Sequence, residues 1–287
     1  MSADIKLFVC CHKYENIPEH PLLVPIQVGA ALVEQHFDGF LHDDTGENIS
    51  AKNRSYCELT AQYWAWKNVD ADYYGIFHYR RYLYPAAKAR RPYRICGSPD
   101  EEFLKRLGYS NFDQLISNYD LIAPIPENMY ISVREHYANA PHHRKRDLSL
   151  AEGIVLEKHP EMADSLEKYL SGTECFFGNI CIMKSHLFKN YCSWLFDILG
   201  EFDRRADTTD YTAQERRVDG YLAERLFGIY YTHRKNELKT IELPRVHFES
   251  DGINCCKNQL VNSILPPGTK QRAYVKSMIF RKRIRKV

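Results

Sequence analysis

Short apolar runs bounded by turn residues alternate with stretches of helical periodicity along most of this chain. Ile5 to Cys11 follows a polar start as a continuous apolar run and predicts a buried first strand. Prolines at 18, 21 and 25 exclude a regular helix from the segment that follows, and Val28 to Gln35 predicts a short helix. Asp43 to Ser50 gathers Asp, Gly, Asn and Ser and reads as a turn-rich loop. Ser55 to Asn68 predicts a helix, with Leu59, Tyr63 and Trp66 on one face and Ser55 and Glu58 in the form of a capping box. Asp72 to Tyr79 reads as a strand that runs into Arg80 and Arg81. Ser98-Pro99-Asp100-Glu101 is a helix start, Tyr119 to Pro124 a strand, and Ser149 opens another helix. Cys175 to Met183 predicts a strand, and Phe188 to Leu199 and Val218 to Ile229 predict helices. Ile241 to Phe248 predicts a late strand with Pro244 at an edge.

Strands that alternate with helices in this way favour an α/β fold, a mostly parallel sheet covered by helices on both faces. One domain, residues 1–268, is expected, followed by a segment of different character, residues 269–287. From Lys270 to Lys286 that segment carries eight lysines and arginines, no acid, and interleaved Val275, Met278, Ile279, Phe280 and Ile284. It reads either as a solvated tail or as a basic amphipathic segment that rests on an anionic membrane surface.

Composition narrows the function classes. Hydrophobic residues make up 44% of the 287-residue chain, enough for a sizeable core, which excludes a largely disordered protein. A net charge of +2 and the lack of a docking motif argue against a nucleic-acid partner. The nine cysteines are odd in number and include no C-x-x-C pair, which argues for reduced thiols rather than a disulfide or zinc framework. No apolar leader and no run of about 18 apolar residues is present, so a cytoplasmic protein is expected, with a peripheral station on the inner membrane face if the tail binds lipid.

Candidate chemistry concentrates at the end of the strand at 72–79. Ligands of open α/β sheets gather at the carboxyl ends of strands, and here His78, Tyr79, Arg80, Arg81 and Tyr82 arrive together. Arginine forks grip phosphate, and fixed cations stabilise a diphosphate that gains charge as its sugar bond breaks. The plain alternative is a solvated basic strand end. His12, at the end of the first strand, either touches the base or phosphate of a nucleotide or is a lone histidine with no ligand. Asp44, Asn48 and Asn53 can hold ribose hydroxyls or a base edge, or can form an ordinary surface turn. Asn179, after Gly178, marks either close approach of a ligand or a bulge. Glu58 is either a cap or a ligand. Asp219 and Glu224, on an otherwise apolar helix, serve as general base or form structural pairs with neighbouring charge. His136, His142, His143 and Asp147 form a loose His-rich stretch whose spacing fits no zinc helix.

Long blocks of the chain resemble a known family. They are His20 to Leu32, Asp44 to Asn53, Tyr56 to Asn68, the signature Phe77-His78-Tyr79-Arg80-Arg81-Tyr82, and Gly220 to Leu226. The family comprises glycosyltransferases of bacterial capsule and exopolysaccharide gene clusters, catalogued as a domain of unknown function, with some members similar to galactofuranosyltransferases. The resemblance extends to about Tyr231. It implies a GT-A-like, Rossmann-type sheet that binds a UDP-sugar, and transfer of a hexosyl unit of galactose type, galactofuranose included, to a lipid-linked or growing polysaccharide acceptor. A degenerate transferase that only binds nucleotide-sugar or glycan is the alternative. Most GT-A enzymes place a D-x-D metal motif after a strand, and none follows an apolar strand here. His78, Tyr79 and Arg80 occupy the matching place. Metal independence is therefore expected, with protein cations facing the diphosphate, while Asp43 and Asp44 keep magnesium or manganese open.

Overall fold

The computed structural model describes residues 3–275 and Met278. The strands are β1 (Ile5–Cys11), β2 (Leu23–Gln27), β3 (Leu41–His42), β4 (Tyr73–His78), β5 (Arg81–Leu83), β6 (Tyr93–Cys96), β7 (Leu121–Pro124), β8 (Glu127–Asn128), β9 (Glu174–Cys175), β10 (Cys181–Lys184), β11 (Thr240–Leu243) and β12 (Arg245–Phe248). The helices are α1 (Asn53–Tyr56), α2 (Leu59–Asn68), α3 (Glu101–Arg106), α4 (Phe112–Ile116), α5 (Val133–Asn139), α6 (Lys145–Lys158), α7 (Ala163–Ser171), α8 (Ser185–Arg205), α9 (Val218–Arg234) and α10 (Gly252–Ile264).

The main sheet has the order β11-β7-β10-β4-β1-β2-β3. β1 runs parallel to both β2 and β4, β2 to β3, and β7 to β11, while β10 is antiparallel to β4 and β7. Successive side chains of a strand point to opposite faces, and β1 uses both. Phe8 and Cys10 enter a core with Tyr74 and Ile76 and with α2, α6, α8 and α9. Leu7, Val9 and Cys11 enter a second core with Phe77, Ile182 and the α3–α4 segment. Both faces are thus covered by helices, which is why β1 reads as an unbroken apolar run. β5, β12 and β6 extend the sheet past the end of β4.

Several elements depart from the sequence reading. Val28 to Gln35 is not a helix: only Ala30–Leu32 forms a short 3-10 turn, after Gly29 at φ 68°. The helix expected from Ser55 to Asn68 is broken into α1 and α2 by Cys57 at φ 52°, and the capping box does not form. The Cys175–Met183 strand is two short strands separated by Gly178 and Asn179, both with positive φ. Pro244 does not sit inside an edge strand but divides β11 from β12, which pair with different partners. α6 begins at Lys145 rather than Ser149, and α3 is capped by Asp100, whose Oδ1 accepts from the Phe103 N–H at 2.6 Å. Within the segment expected as a tail, residues 270–275 are helical, and Arg272 donates to Tyr93 Oη at 2.9 Å and to the Leu265 carbonyl at 2.7 Å. The cations at 276 and 281–286 lie outside the described residues.

Candidate functional site

β1 and β4 are parallel neighbours, with β2 beyond one and β10 beyond the other. A reversal of strand order of this kind opens a crevice at the carboxyl ends of the two strands. A cleft of about 490 Å³ lies there. Cys10 and His12 line it from the end of β1, His78 from the end of β4, Asn53, Arg54, Cys57 and Glu58 from α1 and the break after it, and Tyr211, Arg216 and Arg217 from the opposite wall. Arg54, Arg216 and Arg217 make the lining cationic, and Glu58 is its one carboxylate. Arg217 is also the residue at which α9 starts, with no side-chain cap. The positive end of that helix's dipole adds to a field that favours anions.

The end of β4 is fixed by a tight hairpin. His78 pairs with Arg81 across the two-residue turn Tyr79-Arg80. The Tyr79 N–H donates to the Cys10 carbonyl at 3.1 Å, and the Phe248 N–H to the Arg80 carbonyl at 2.8 Å. The Arg80 N–H donates to His78 Nδ1 at 3.3 Å, which assigns the ring proton to Nε2. Burial, and then the charges of Arg81 and Arg80, push the His78 imidazole down to about 2, so His78 enters the cleft as a neutral donor. His12, its ring centroid 6.2 Å away, is lowered for the same reasons: burial first, then Arg80 and Arg217. Arg80 is exposed beside it, 5.0 Å from the Tyr79 ring centroid. Arg81 is half-buried behind, its guanidinium in no ion pair among the described residues. Burial and the nearby Arg245 lower its pKa, against Glu224 and Glu58.

Glu58 is held from a distant part of the chain. Asn179 Nδ2 donates to Glu58 Oε1 at 2.9 Å and to the Gly220 carbonyl at 3.0 Å. Asn179 reaches it from a left-handed backbone at φ 50°, directly after Gly178 at φ 94°, a conformation that glycine and asparagine tolerate best. The Gly178 N–H is in turn anchored by Glu224 Oε1 at 2.6 Å, while Glu224 Oε2 accepts from Arg225 at 2.5 Å. Burial raises the Glu58 carboxyl above its ordinary value, its own backbone N–H and then the hydrogen bond from Asn179 oppose the rise, and the charge of Glu224 adds to it.

The structure therefore brings His12, His78, Asn53 and Glu58 to one cleft and sets Arg80, Arg81 and Asn179 around it. Other candidates fall elsewhere. Asp44 and Asn48 serve their own loop: Asn48 Nδ2 donates to the Asp44 and Gly46 carbonyls, each at 3.0 Å, and Asp44 Oδ2 lies 3.3 Å from His36 Nε2. Tyr79 is 4% exposed and packs in the second core. Glu224 is a structural anchor, the pairing already open in its sequence context. Asp219 is fully buried between α1 and α9, where Ser55 donates to its Oδ2. Asp147 is also buried and accepts from Tyr211 at 2.5 Å. Arg54, Arg216 and Arg217 were not singled out from sequence as site residues. Arg54 directly follows the candidate Asn53, and Arg216 and Arg217 precede a predicted helix, a position that places charge at a helix start.

Asp43 is fully buried and engaged with the chain: its Oδ2 accepts from the Gly29 N–H at 2.9 Å, and its Oδ1 from the Ala30 N–H and Ser50 Oγ at 3.0 and 2.5 Å. Among the described residues no three His, Cys, Asp or Glu side chains gather as metal ligands. The side chains at the cleft fit an anion better than a cation.

Comparison with known proteins bears on the fold and the family. The apo structure of WbbM, a bifunctional glycosyltransferase, is similar to this chain with a TM-score of 0.81 and 31% identity. The match covers 86% of this chain and 45% of that one, so the chain spans less than half of that protein. Among curated proteins no significant match is found. Residues 6–236 match the family described as Domain of unknown function (DUF4422), and over that span the chain belongs to this family.

Proposed function

We propose that the chain is a glycosyltransferase that moves a hexosyl unit of galactose type from a UDP-sugar to a lipid-linked or growing polysaccharide acceptor. The observation that carries this reading is the cationic cleft at the ends of β1 and β4, with one raised-pKa carboxylate in its wall. The similarity to a bifunctional glycosyltransferase supports it. In this reading the diphosphate lies against Arg217, Arg216 and Arg54, with Arg80 and Arg81 contributing to the field. Cleavage of the bond between the anomeric carbon and the β-phosphate oxygen leaves the electron pair on UDP. Cations fixed beforehand stabilise that charge more than they stabilise the intact donor. Neutral His78 offers an Nε2–H hydrogen bond and adds no charge of its own. The acceptor hydroxyl forms the new bond to the anomeric carbon and gives its proton to Glu58. Burial raises the proton affinity of that carboxylate, as general-base work requires. Glu58 takes this part in preference to Asp147, Asp219 and Glu224, which already have buried partners. Guanidinium groups take the place of a divalent ion at the diphosphate.

Calorimetric titration with UDP, with and without EDTA, tests the donor site. Binding that survives EDTA and weakens by about tenfold or more in Arg217→Ala and Arg80→Ala is expected from the loss of charge-assisted hydrogen bonds. In turnover with UDP-sugars, Glu58→Gln is expected to lose about 10²–10⁴-fold in kcat with UDP affinity retained. UDP binding without turnover for any acceptor would favour a binding protein derived from a transferase. Manganese-dependent activity that persists in Arg80→Ala would remove the role assigned to protein cations.

A further inference from the structure

α10 is amphipathic in the opposite sense to a core helix. At 100° per residue, Ile253, Lys257, Leu260 and Ile264 fall on one stripe, with Val261 at its edge. That stripe faces solvent: Ile253 is 83%, Leu260 61% and Ile264 69% exposed. The face turned toward β6 carries Cys255 and the polar Asn262, both buried, and Gln259, whose Nε2 donates to the Ile95 carbonyl at 3.1 Å. Asn262 is met by Arg272 at 2.5 Å. A helix stabilised by its fold alone would bury the isoleucines and expose the amides. Here the polar residues hold the helix to the domain and the apolar ones point away from it, with Tyr274 and Met278 exposed just beyond.

Charge identifies the occupant. From residue 252 to the end of the sequence there are nine lysines and arginines and no aspartate or glutamate. The nearest acid, Asp251, caps the helix through the N–H groups of Ile253 and Asn254. Within the stripe, Lys257 is exposed among the apolar residues. Exposed Arg90, Arg91 and Arg94 lie on the segment that leads into and through β6, on which α10 packs. Apolar side chains on one helix face, with Lys257 among them and only basic residues following in the sequence, fit a bilayer interface that carries anionic headgroups. At 13 residues the helix is far shorter than the roughly 20 needed to span a bilayer, so it would lie in the interface plane. We infer that the outward face of α10 docks the protein on an anionic lipid surface, with Ile253, Leu260 and Ile264 entering the acyl boundary. This places the lipid contact upstream of the basic tail. It does not depend on the transferase reading.

Co-sedimentation of the full chain with phosphatidylcholine vesicles, with and without phosphatidylglycerol, tests the inference. Wild type is expected to bind the anionic vesicles and to bind pure phosphatidylcholine much more weakly. The triple variant Ile253→Ser, Leu260→Ser, Ile264→Ser is expected to lose at least about tenfold in vesicle affinity. Its thermal midpoint is expected to stay unchanged, because the three side chains contact solvent. Equal binding of the triple variant and wild type would overturn the inference, as would the absence of wild-type binding. Binding that survives the triple substitution but disappears on truncation after Gly268 would overturn it by assigning the contact to the tail alone. A wild-type dimer in light scattering that the triple variant converts to monomer, with vesicle binding unaffected, would overturn it by assigning the face to a second copy of the chain.

Discussion

Asp219 offers a sharp test of the division between site and scaffold. It is fully buried where α9 meets α1, and its Oδ2 accepts from Ser55. Its Oδ1 has no partner among the described residues. Asp203, engaged by Lys52 at 2.7 Å and by the Tyr56 hydroxyl at 2.9 Å, adds a second negative charge nearby. Burial first, then Asp203, raises the Asp219 carboxyl from 3.8 to about 7. Below pH 3.8 the carboxyl is protonated in both the folded and the unfolded chain, and it places no pH-dependent burden on folding. As pH rises from there, the unfolded chain releases the proton while the folded chain keeps it, so stability falls with pH until about pH 7 and is level above. About three pKa units correspond to an upper limit of about 4 kcal/mol.

Asp219→Asn keeps the shape and removes the ionisation. At pH 8 the variant is expected to be more stable than wild type by about 1–4 kcal/mol, the lower end allowing for relaxation around the charge. Near pH 4 the two are expected to converge. Urea unfolding at four pH values from about 4 to 8 measures this directly, because the difference appears in the midpoint while the slope m stays the same. Turnover of the variant is expected to remain near wild type, since Asp219 does not line the cleft. A constant stability difference across the whole range would refute the buried-carboxylate argument. A collapse of kcat in a stable variant would return Asp219 to the catalytic apparatus.

Three further outcomes follow from other parts of the fold. Arg245 and Glu127 form a buried pair at 2.5 Å, so Glu127→Ala is expected to cost about 3–5 kcal/mol in urea unfolding, and replacing both residues with apolar side chains is expected to recover most of it. A Cβ on Gly228 would lie 1.9 Å from Tyr169 Cζ where α9 crosses α7, so Gly228→Ala is expected to lower stability by at least about 1–3 kcal/mol, read as a fall in thermal midpoint. His78 is pushed down to about 2, so it stays neutral at all working pH values. UDP affinity should then show no inflection from His78 between about pH 5 and 8, and an inflection that disappears in His78→Gln would contradict the assignment.

The elements legible in the sequence were those specified by local pattern. β1, β4 and β7 are short apolar runs, and α8 and α9 keep helical spacing for several turns. β2 was hidden by Pro25, which looks hostile to a strand. It is tolerated because β3 pairs only with Ile26 and Gln27, leaving Pro25 where one side of β2 has no ladder. The false capping box is more instructive. Ser55 and Glu58 have the right spacing, but each finds a better partner far along the chain. Ser55 donates to Asp219, 164 residues away, and Glu58 accepts from Asn179, 121 residues away. With those bonds made, Cys57 turns to positive φ, the helix breaks, and Glu58, the residue before α2, turns its side chain to Asn179 in the cleft wall instead of capping that helix.

The candidate site divides along the same line. The strand end from His78 to Arg81 was readable because its chemistry is contiguous in sequence. Arg54 and Arg217 were not, and Glu58 could not be told from a cap, because the stretch around α1 and the start of α9 lie far apart in sequence and only the topology brings them to the ends of β1 and β4. The assignment of the carboxylate follows from this nonlocal arrangement. Three other acids are engaged away from the cleft: Asp147 accepts from Tyr211, Asp219 is fully buried with Ser55 on its Oδ2, and Glu224 accepts from Gly178 and Arg225. Glu58 has a neutral amide on one oxygen, and its other oxygen has no side-chain partner among the hydrogen bonds described. In a wall whose other charged side chains are guanidinium groups, it is the carboxylate in a position to meet an incoming hydroxyl. The chain from Glu224 through Gly178 and Asn179 holds it there. Disturbing any link of that chain should therefore alter kcat before it alters the affinity for UDP.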